Sequence, residues 1–424
     1  MKQKLNKSKE PLSNLTIIEF GNYVAGPWAG QLLADMGATV IKIEPLSGDP
    51  WRKSNEFKPN ESKSFISINR GVKSFAINLK SIDGQKILSK LIKNIDGVIS
   101  NNRIDTSKKL KIDYNSLKNI NSKIIYVEIT GYGSKGDKSK DPGFDTIMQG
   151  YTGTISGEGK VNGHEIGLVQ STSFIDFSTG YAAVNALLAG IIQRSITGKG
   201  QKISTSLLAN ALGMQSMRLI DVENYPSPTK IWFDNEYKKL KKLKTNFTDI
   251  LDSYNEKVRG DLLKTYYRVY TTLDGAITLG ALAGHARISI NKLLKIEDAR
   301  LKDITKVFPK KYRQKIEKQL QDKFNKHTTN FWLKKLHQNN IPCESVRFIE
   351  ELLTDKQALI NNNVIELKHH TGEKILTTGP VLDFNHKIKQ KSSPKLGENN
   401  KEILSFLGYK ESTINKYRKN KTIL

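Results

Sequence analysis

In the first half of the chain, short β-branched runs alternate with helix-forming stretches, and this alternation constrains the fold more than any other feature. Leu15–Phe20, Thr39–Ile43, Gly97–Ile99 and Ile124–Ile129 read as strands, with Gly30–Met36 and Ile82–Ile92 as helices between them. Parallel strands need long crossovers, and a helix in each crossover covers one face of the sheet. The pattern therefore predicts an α/β fold with a Rossmann-like, helix-covered parallel sheet.

At 424 residues the chain exceeds the usual range of one domain, so a large domain with a smaller companion is expected. Residues 203–217 read as a helix. From about 218 to 263 the sequence turns polar, charged and aromatic around Pro226 and Pro228, as an insertion or a crossing between domains does. Tyr266–Thr272 and Ala276–Leu279, joined by Asp274-Gly275, read as two strands around a turn. Lysine-rich helices follow from about 304 to 338, and after Ile341-Pro342-Cys343 short strands and loops lead to a small helix near Lys401–Leu407. The expected organisation is a large Rossmann-like domain begun by 1–218, an insertion and small α+β domain over 219–340, and a segment 341–424 returning to the large domain.

The formal charge is +26, from 68 Lys and Arg against 42 Asp and Glu, which raises nucleic acid or an anionic membrane as a partner. Only twelve of these cations are Arg, and the Lys are spread along the whole length, which is residue usage rather than a recognition stripe. The densest cluster, Lys238–Lys244, reads as a solvated helix face, with anion binding as its alternative. A basic nucleic-acid-binding protein is the remote reading, and it rests on charge alone. The single Cys343 excludes an internal disulfide and fits a reducing compartment. The lysine-rich N-terminus is not followed by an apolar run of secretory length, and Tyr181–Ile192 falls short of the roughly twenty residues of a membrane span. A soluble, cytoplasmic protein without a membrane partner is expected.

Gly131-Tyr132-Gly133-Ser134-Lys135-Gly136 follows a strand, but the residues after it have loop chemistry, so a dinucleotide fingerprint is a weak match. The seven His and one Cys show no metal-ligand spacing, and the adjacent His369 and His370 are not expected to face one ion together. No metal site and no permanently bound cofactor are expected. No G-x-S-x-G elbow supports a serine hydrolase. Asp176 stands before a helix-forming run that starts at Gly180, where backbone N–H groups favour negative charge, so its carboxylate is expected to stay ionised and available as a nucleophile. Its plainer role is that Asp176 or Ser178 caps the helix.

Ala25-Gly26-Pro27, the run Gln31–Pro45 and Ser47–Arg52 closely resemble the opening of the family III CoA-transferases. Asn69–Ser74 with Leu79-Lys80, the Thr130–Gly136 loop, Gly143-Phe144-Asp145 with Gln149, the Asp176 segment, Thr197–Gln201, Ile341–Cys343 and Leu396–Glu398 resemble further blocks in family order. The resemblance runs from about Leu15 to the C-terminus and is weakest over 218–263.

It implies a two-domain subunit in a homodimer of interlocked rings, with acyl-CoA and a small carboxylic acid as partners and coenzyme A as a substrate. It assigns Asp176 as the nucleophile that passes through a mixed anhydride and an aspartyl-CoA thioester. For CoA the family positions fall on Val24, Ala25, Lys80, Asn101, Asn102, Arg103 and Lys109 with Gly143 and Phe144. Asp145 is the candidate for orienting the acyl group, and the stretch from Gly280 to Gly284 is the nearest match to the family's glycine loop beside the oxyanion. Ser100–Asp105 departs from the family's usual Glu-Asn-Phe-Arg-Pro-Gly, and Val24 replaces a glutamine of the formyl-CoA transferases, which argues against formyl-CoA and oxalate. The same family contains acyl-CoA racemases, whose histidine would fall at Phe144, a side chain that cannot move a proton.

Overall fold

Period-two alternation sorts the apolar residues of the first strands onto the two faces of one sheet. In the computed structural model, which describes residues 10–162, 165–258, 260–303, 306, 308–385 and 388–424, the strands through Ser206 are ten. They are β1 (Thr16–Phe20), β2 (Thr39–Glu44), β3 (Glu56–Lys58), β4 (Glu61–Ser62), β5 (Lys73–Ala76), β6 (Gly97–Ser100), β7 (Ile125–Thr130), β8 (Val161–Asn162), β9 (Glu165–Ile166) and β10 (Gln201–Ser206). Six of them form an all-parallel sheet in the order β10-β7-β6-β1-β2-β5.

Ile18, Phe20, Val98 and Tyr126 point to one face, where they pack with Ile87, Leu88 and Leu91 of the Ile82–Ile92 helix. Ile17, Ile99, Ile125 and Val127 point to the other, where they meet Trp28, Leu32 and Leu33 of the Ala25–Asp35 helix and Ala183, Val184 and Leu187 of the Phe174–Thr197 helix. Both faces are covered, as a parallel sheet requires. The Phe174–Thr197 helix is longer than the apolar run read from the sequence, and by length and composition it would suit a membrane span. Here it is a core helix that packs on β6, β7 and β10.

Several elements differ from the sequence reading. Residues 203–206 are strand, not helix: Gln201–Ser206 alternates exposure along the sheet edge, and the helix starts only at Leu207, where Ser206 Oγ accepts from the Ala209 N–H at 3.0 Å. The edge strand β5 was not recognised, nor was the second C-terminal helix, Glu411–Lys419. Of the lysine-rich helical stretch, 304, 305 and 307 lie outside the described residues; the helices there are Lys310–Phe324 and Thr329–Gln338.

The chain divides into two compact units, one from the chain through Asn162 with Ile166–Ile220 and Leu353–Leu424, the other from Asp221–Leu352. In the second unit, β11 (Tyr267–Thr271), β12 (Ala276–Gly280) and β13 (Cys343–Ser345) form an antiparallel sheet whose core includes Tyr270, Ile277, Leu279, Ile316, Leu320, Phe324 and Trp332. The return to the first unit therefore comes after Leu352 rather than at 341, because β13 bonds to β12. The returning segment forms the hairpin of β14 (Val364–Lys368) and β15 (Lys374–Thr378) and then docks on the first sheet. There Ile403, Leu404, Ile414 and Ile423 join its core, and the Asn400 amide bonds the backbone of Ala76 on both sides.

Beneath the carboxyl ends of β1 and β2 lies a buried ionic group. Glu19 and Lys42 stand opposite each other in register, and Lys42 Nζ reaches Glu19 at 3.1 Å, Asp49 at 2.9 Å and the Gly21 carbonyl at 2.9 Å. Burial lifts the Glu19 carboxyl to about 7 even against the Lys42 charge. Removing one partner of such a pair leaves uncompensated charge in a low-dielectric site. Lys42→Met is expected to cost on the order of 3–5 kcal/mol in urea unfolding at pH 8, and less at pH 6, where Glu19 takes up a proton.

Candidate active site

From β1 the strand order steps outward through β2 and β5 on one side and through β6, β7 and β10 on the other. The order in which strands are added reverses between β1 and β6, and at such a switch point the loops leaving adjacent strands part to opposite faces and open a crevice. Phe20 is level with Ser100 in register, so the loops from Gly21 and from Asn101 leave the sheet side by side. A cavity of about 600 Å³ lies there, lined by Asn22–Ala25, Asn101–Thr106, Lys109, Ile129–Gly131, Ser139–Phe144, Asp176 and Leu207. Val24, Ala25, Asn101, Asn102, Arg103, Lys109, Gly143, Phe144 and Asp176 are thus brought together as the sequence led us to expect. Lys80 lines a neighbouring cleft instead, one that shares Asn22 and Asn102 with the cavity.

Asp176 lies in the first turn of the Phe174–Thr197 helix, not before it. Neither Asp176 nor Ser178 caps that helix. The cap comes from Asp145, whose Oδ2 accepts from the backbone N–H groups of Ile175 at 2.8 Å and Asp176 at 3.3 Å. Ser178 Oγ instead donates to the Ile175 carbonyl. Asp145 Oδ1 accepts from Gln149 Nε2 at 2.6 Å, and the Gln149 amide is itself fixed by the Val169 backbone through bonds of 2.9 and 3.0 Å. The donors expected to favour an ionised Asp176 are therefore taken by another carboxylate. Burial first, and the Asp145 charge second, lift Asp176 from the ordinary carboxylate range to about 7. The expectation that it stays fully ionised fails for that reason: desolvation outweighs the helix dipole.

Close backbone approach sets where Asp176 sits. A Cβ on Gly180, one turn further on, would fall 2.8 Å from Trp28 Cδ1 and 3.0 Å from the Ala25 carbonyl, so only glycine lets this helix lie against the Ala25–Asp35 helix. Likewise a Cβ on Gly143 would fall 2.4 Å from Gly131 Cα, which holds the Gly143-Phe144 loop against the end of β7.

The rest of the wall divides into fixed amides and free cations. Asn101 Nδ2 donates to the Asn22 carbonyl at 2.8 Å while its Oδ1 accepts from the Asn22 N–H at 3.0 Å, and Asn102 Nδ2 donates to Phe20 O. These amides tie the two loops together. Arg103 and Lys109 are exposed, and among the described residues neither makes an ion pair. Lys140, Asn22 and Tyr23 complete the site and were missed in the sequence. Lys140 closes the 3₁₀ turn Asp137–Lys140 that follows the glycine string, so the loop once weighed as a nucleotide fingerprint contributes a cation to the rim. Tyr23 has a left-handed φ of 64°, which nothing in its residue type announces, and its ring meets Phe144 edge-on at 6.0 Å.

Gly280 and Gly284 belong to the second unit, at the end of β12 and the start of the Gly284–Leu294 helix; Arg287 binds the carbonyls of Ala281 and Leu282 between them. Back in the first unit, His369 and His370 do converge, contrary to expectation, because both Nε2 atoms turn to the buried Glu61.

The sequence pattern of CoA-transferase family III matches residues 12–235 and 243–400. Succinate–glutarate CoA-transferase of Agrobacterium fabrum is 30% identical over 418 residues, 96% of this chain and 98% of that protein. Cinnamoyl-CoA:phenyllactate CoA-transferase of Clostridium sporogenes is 29% identical, with 97% of each chain covered, and succinyl-CoA:glutarate CoA-transferase of Mus musculus is 28% identical, covering 96% of this chain and 89% of that protein. Among solved structures, a CaiB/BaiF family protein from Brucella suis superposes with a TM-score of 0.71 at 23% identity, covering 94% of this chain and 99% of that one. A hypothetical protein from Mycobacterium tuberculosis gives 0.72 at 20%, covering 93% and 99%, and both establish the likeness of fold. With the family pattern spanning nearly its whole length, the chain belongs to CoA-transferase family III and is a CoA-transferase.

Proposed function

We propose that this protein carries coenzyme A from an acyl-CoA donor to a small carboxylic acid through a covalent intermediate on Asp176. The observation that carries the reading is the position of the Asp176 carboxyl: half-buried in the wall of the switch-point cavity, with Arg103, Lys109 and Lys140 on the same wall. Those cations suit the phosphates of CoA. A carboxylate oxygen of Asp176 attacks the thioester carbonyl and expels the CoA thiolate, which leaves a mixed anhydride. The thiolate then attacks the aspartyl carbonyl and releases the donor acid, giving aspartyl-CoA. The acceptor carboxylate repeats both steps in reverse and leaves with CoA, restoring Asp176. No water is consumed, and each anhydride conserves the energy of the thioester. Asp145 acts through the helix start: it holds the first turn and raises the basicity of the nucleophile.

The named relatives act on glutarate in two cases and on phenyllactate in a third, so the acceptor here is proposed only as a small organic acid. The racemase reading has nothing to support it at the cavity, since Phe144 stands where a proton-transferring histidine would be needed. We take the active form to be a homodimer; Met217, Leu219 and Ile220, exposed by 93, 63 and 62%, are the kind of apolar surface a second copy covers.

Incubation with donor acyl-CoA and no acceptor, then hydroxylamine, should convert Asp176 to a hydroxamate detectable by peptide mass spectrometry. Asp176→Ala should fold, give no adduct and lose transfer by about 10³-fold or more; undiminished transfer by this variant overturns the reading.

Only the ionised carboxylate attacks, so kcat/KM should rise with pH through a limb near 7. Asp145→Asn keeps an oxygen for the backbone N–H groups but removes the charge that lifts Asp176. Its limb should move to lower pH, at a stability cost on the order of 1 kcal/mol. A loss of stability with an unmoved limb would reduce Asp145 to a cap alone.

A further inference from the structure

Two hairpins of the first unit, far apart in sequence, meet at three side chains the transfer reaction does not use. Glu61 opens β4 directly after the left-handed Asn60 in the β3–β4 turn. His369 and His370 follow β14, ahead of the Thr371-Gly372 turn into β15. His369 Nε2 stands 3.5 Å from Glu61 Oε2, and His370 Nε2 stands 3.2 Å from Glu61 Oε1. One ligand atom from each of the three residues lies within 4.8 Å of the others. Around a tetrahedral zinc ion with Zn–N of 2.0–2.1 Å, ligand atoms are about 3.3 Å apart, so small side-chain rotations close the set. We propose that Glu61, His369 and His370 bind a divalent zinc-class ion that clasps the β14–β15 hairpin to the β3–β4 hairpin.

Three features point to a cation rather than to a plain hydrogen-bonded cluster. Glu61 is only 2% exposed, and its Oε2 makes no hydrogen bond, which is a costly state for a buried carboxylate oxygen. Each imidazole is held from a second side: His369 Nδ1 lies 2.7 Å from Thr371 Oγ1, and His370 is bonded by the backbone of Ser393. Finally, the buried Ser393 hydroxyl lies 3.4 Å from His369 Nε2, leaving its oxygen or a water to complete four-fold coordination.

Two of the nearby positive charges already have carboxylate partners. Arg52 Nη1 is 3.7 Å from Glu61, but its guanidinium forks onto Glu44 at 2.7 and 2.9 Å. Lys58 pairs with Glu373. The ligand chemistry selects the metal class: two imidazoles and one carboxylate suit zinc and similar borderline ions, and not calcium or magnesium, which prefer oxygen donors.

The test uses untagged full-length protein, stripped with a chelator and dialysed. Titration with Co²⁺ should give saturable visible d–d absorption at about one ion per chain, and Zn²⁺ should displace it. Zn²⁺ should also survive gel filtration at the same ratio and raise the unfolding midpoint. Glu61→Gln should lose the band and the retained zinc. His370→Ala, at a partly exposed position that does not endanger folding, should lose them too, while both variants keep CoA transfer. No saturable Co²⁺ or Zn²⁺ binding by the stripped protein overturns the proposal, and so does binding that both variants retain unchanged.

Discussion

The site depends on a buried charge group that the rest of the first unit is arranged to tolerate. Lys42 Nζ holds Glu19, Asp49 and the Gly21 carbonyl at once, inside a sheet packed on both faces by apolar clusters. Buried ion pairs are poor sources of stability, since desolvation offsets the attraction. What this one supplies is position. It anchors the backbone where β1 ends, and from there the chain turns through Asn22 and Tyr23 into the cavity wall. Asn101 ties the same turn to the end of β6 through both of its amide atoms. The crevice that topology opens at the switch point is thereby held with two rigid lips. The proposed mechanism needs such rigidity, because a loop free to drift by an ångström could not keep a nucleophile and a thioester in reactive geometry.

At the other wall, two carboxylates share one helix start, and their division of labour follows from which takes the backbone donors. Asp145 takes the N–H groups of Ile175 and Asp176 and the amide of Gln149, so it is well solvated by the protein. Asp176 is left with burial and a negative neighbour, and its affinity for protons rises toward neutrality. A more basic carboxylate is a better nucleophile in its ionised form, and near pH 7 a large fraction remains ionised. In the proposed mechanism, the same environment that destabilises the free carboxylate favours its acylation, which removes the charge.

The strands β1, β2, β6 and β7 were legible because each alternates aliphatic residues over a short span, and the Ile82–Ile92 helix because its apolar residues recur on one face. Strand β10 was not, since Lys202, Ser204 and Ser206 dilute the pattern on an edge strand, where only one flank needs to be covered. Most of the cavity wall was legible through motif resemblance. Its missing members illustrate what local sequence does not carry. Tyr23 enters through a left-handed backbone, and Lys140 through a single 3₁₀ turn. The convergence of His369 and His370 was missed for a different reason. Adjacent side chains leave an extended strand on opposite faces, but these two lie where β14 ends and the chain turns, and there alternation no longer applies.

The C-terminal segment shows how a distant part of the chain stabilises a site it does not line. Its last helices complete the sheet face opposite the Phe174–Thr197 helix, through Ile403, Leu404 and Ile414. The segment is tied to the N-terminal part of the first unit by two arginines: Arg70 bonds Asp35, the Thr378 carbonyl at the end of β15 and Gln390, and Arg52 bonds Glu44 and the Pro394 carbonyl. Glu44 and Lys42 lie on the same strand, so tension on this segment reaches the group beneath the Gly21 turn through two residues of β2.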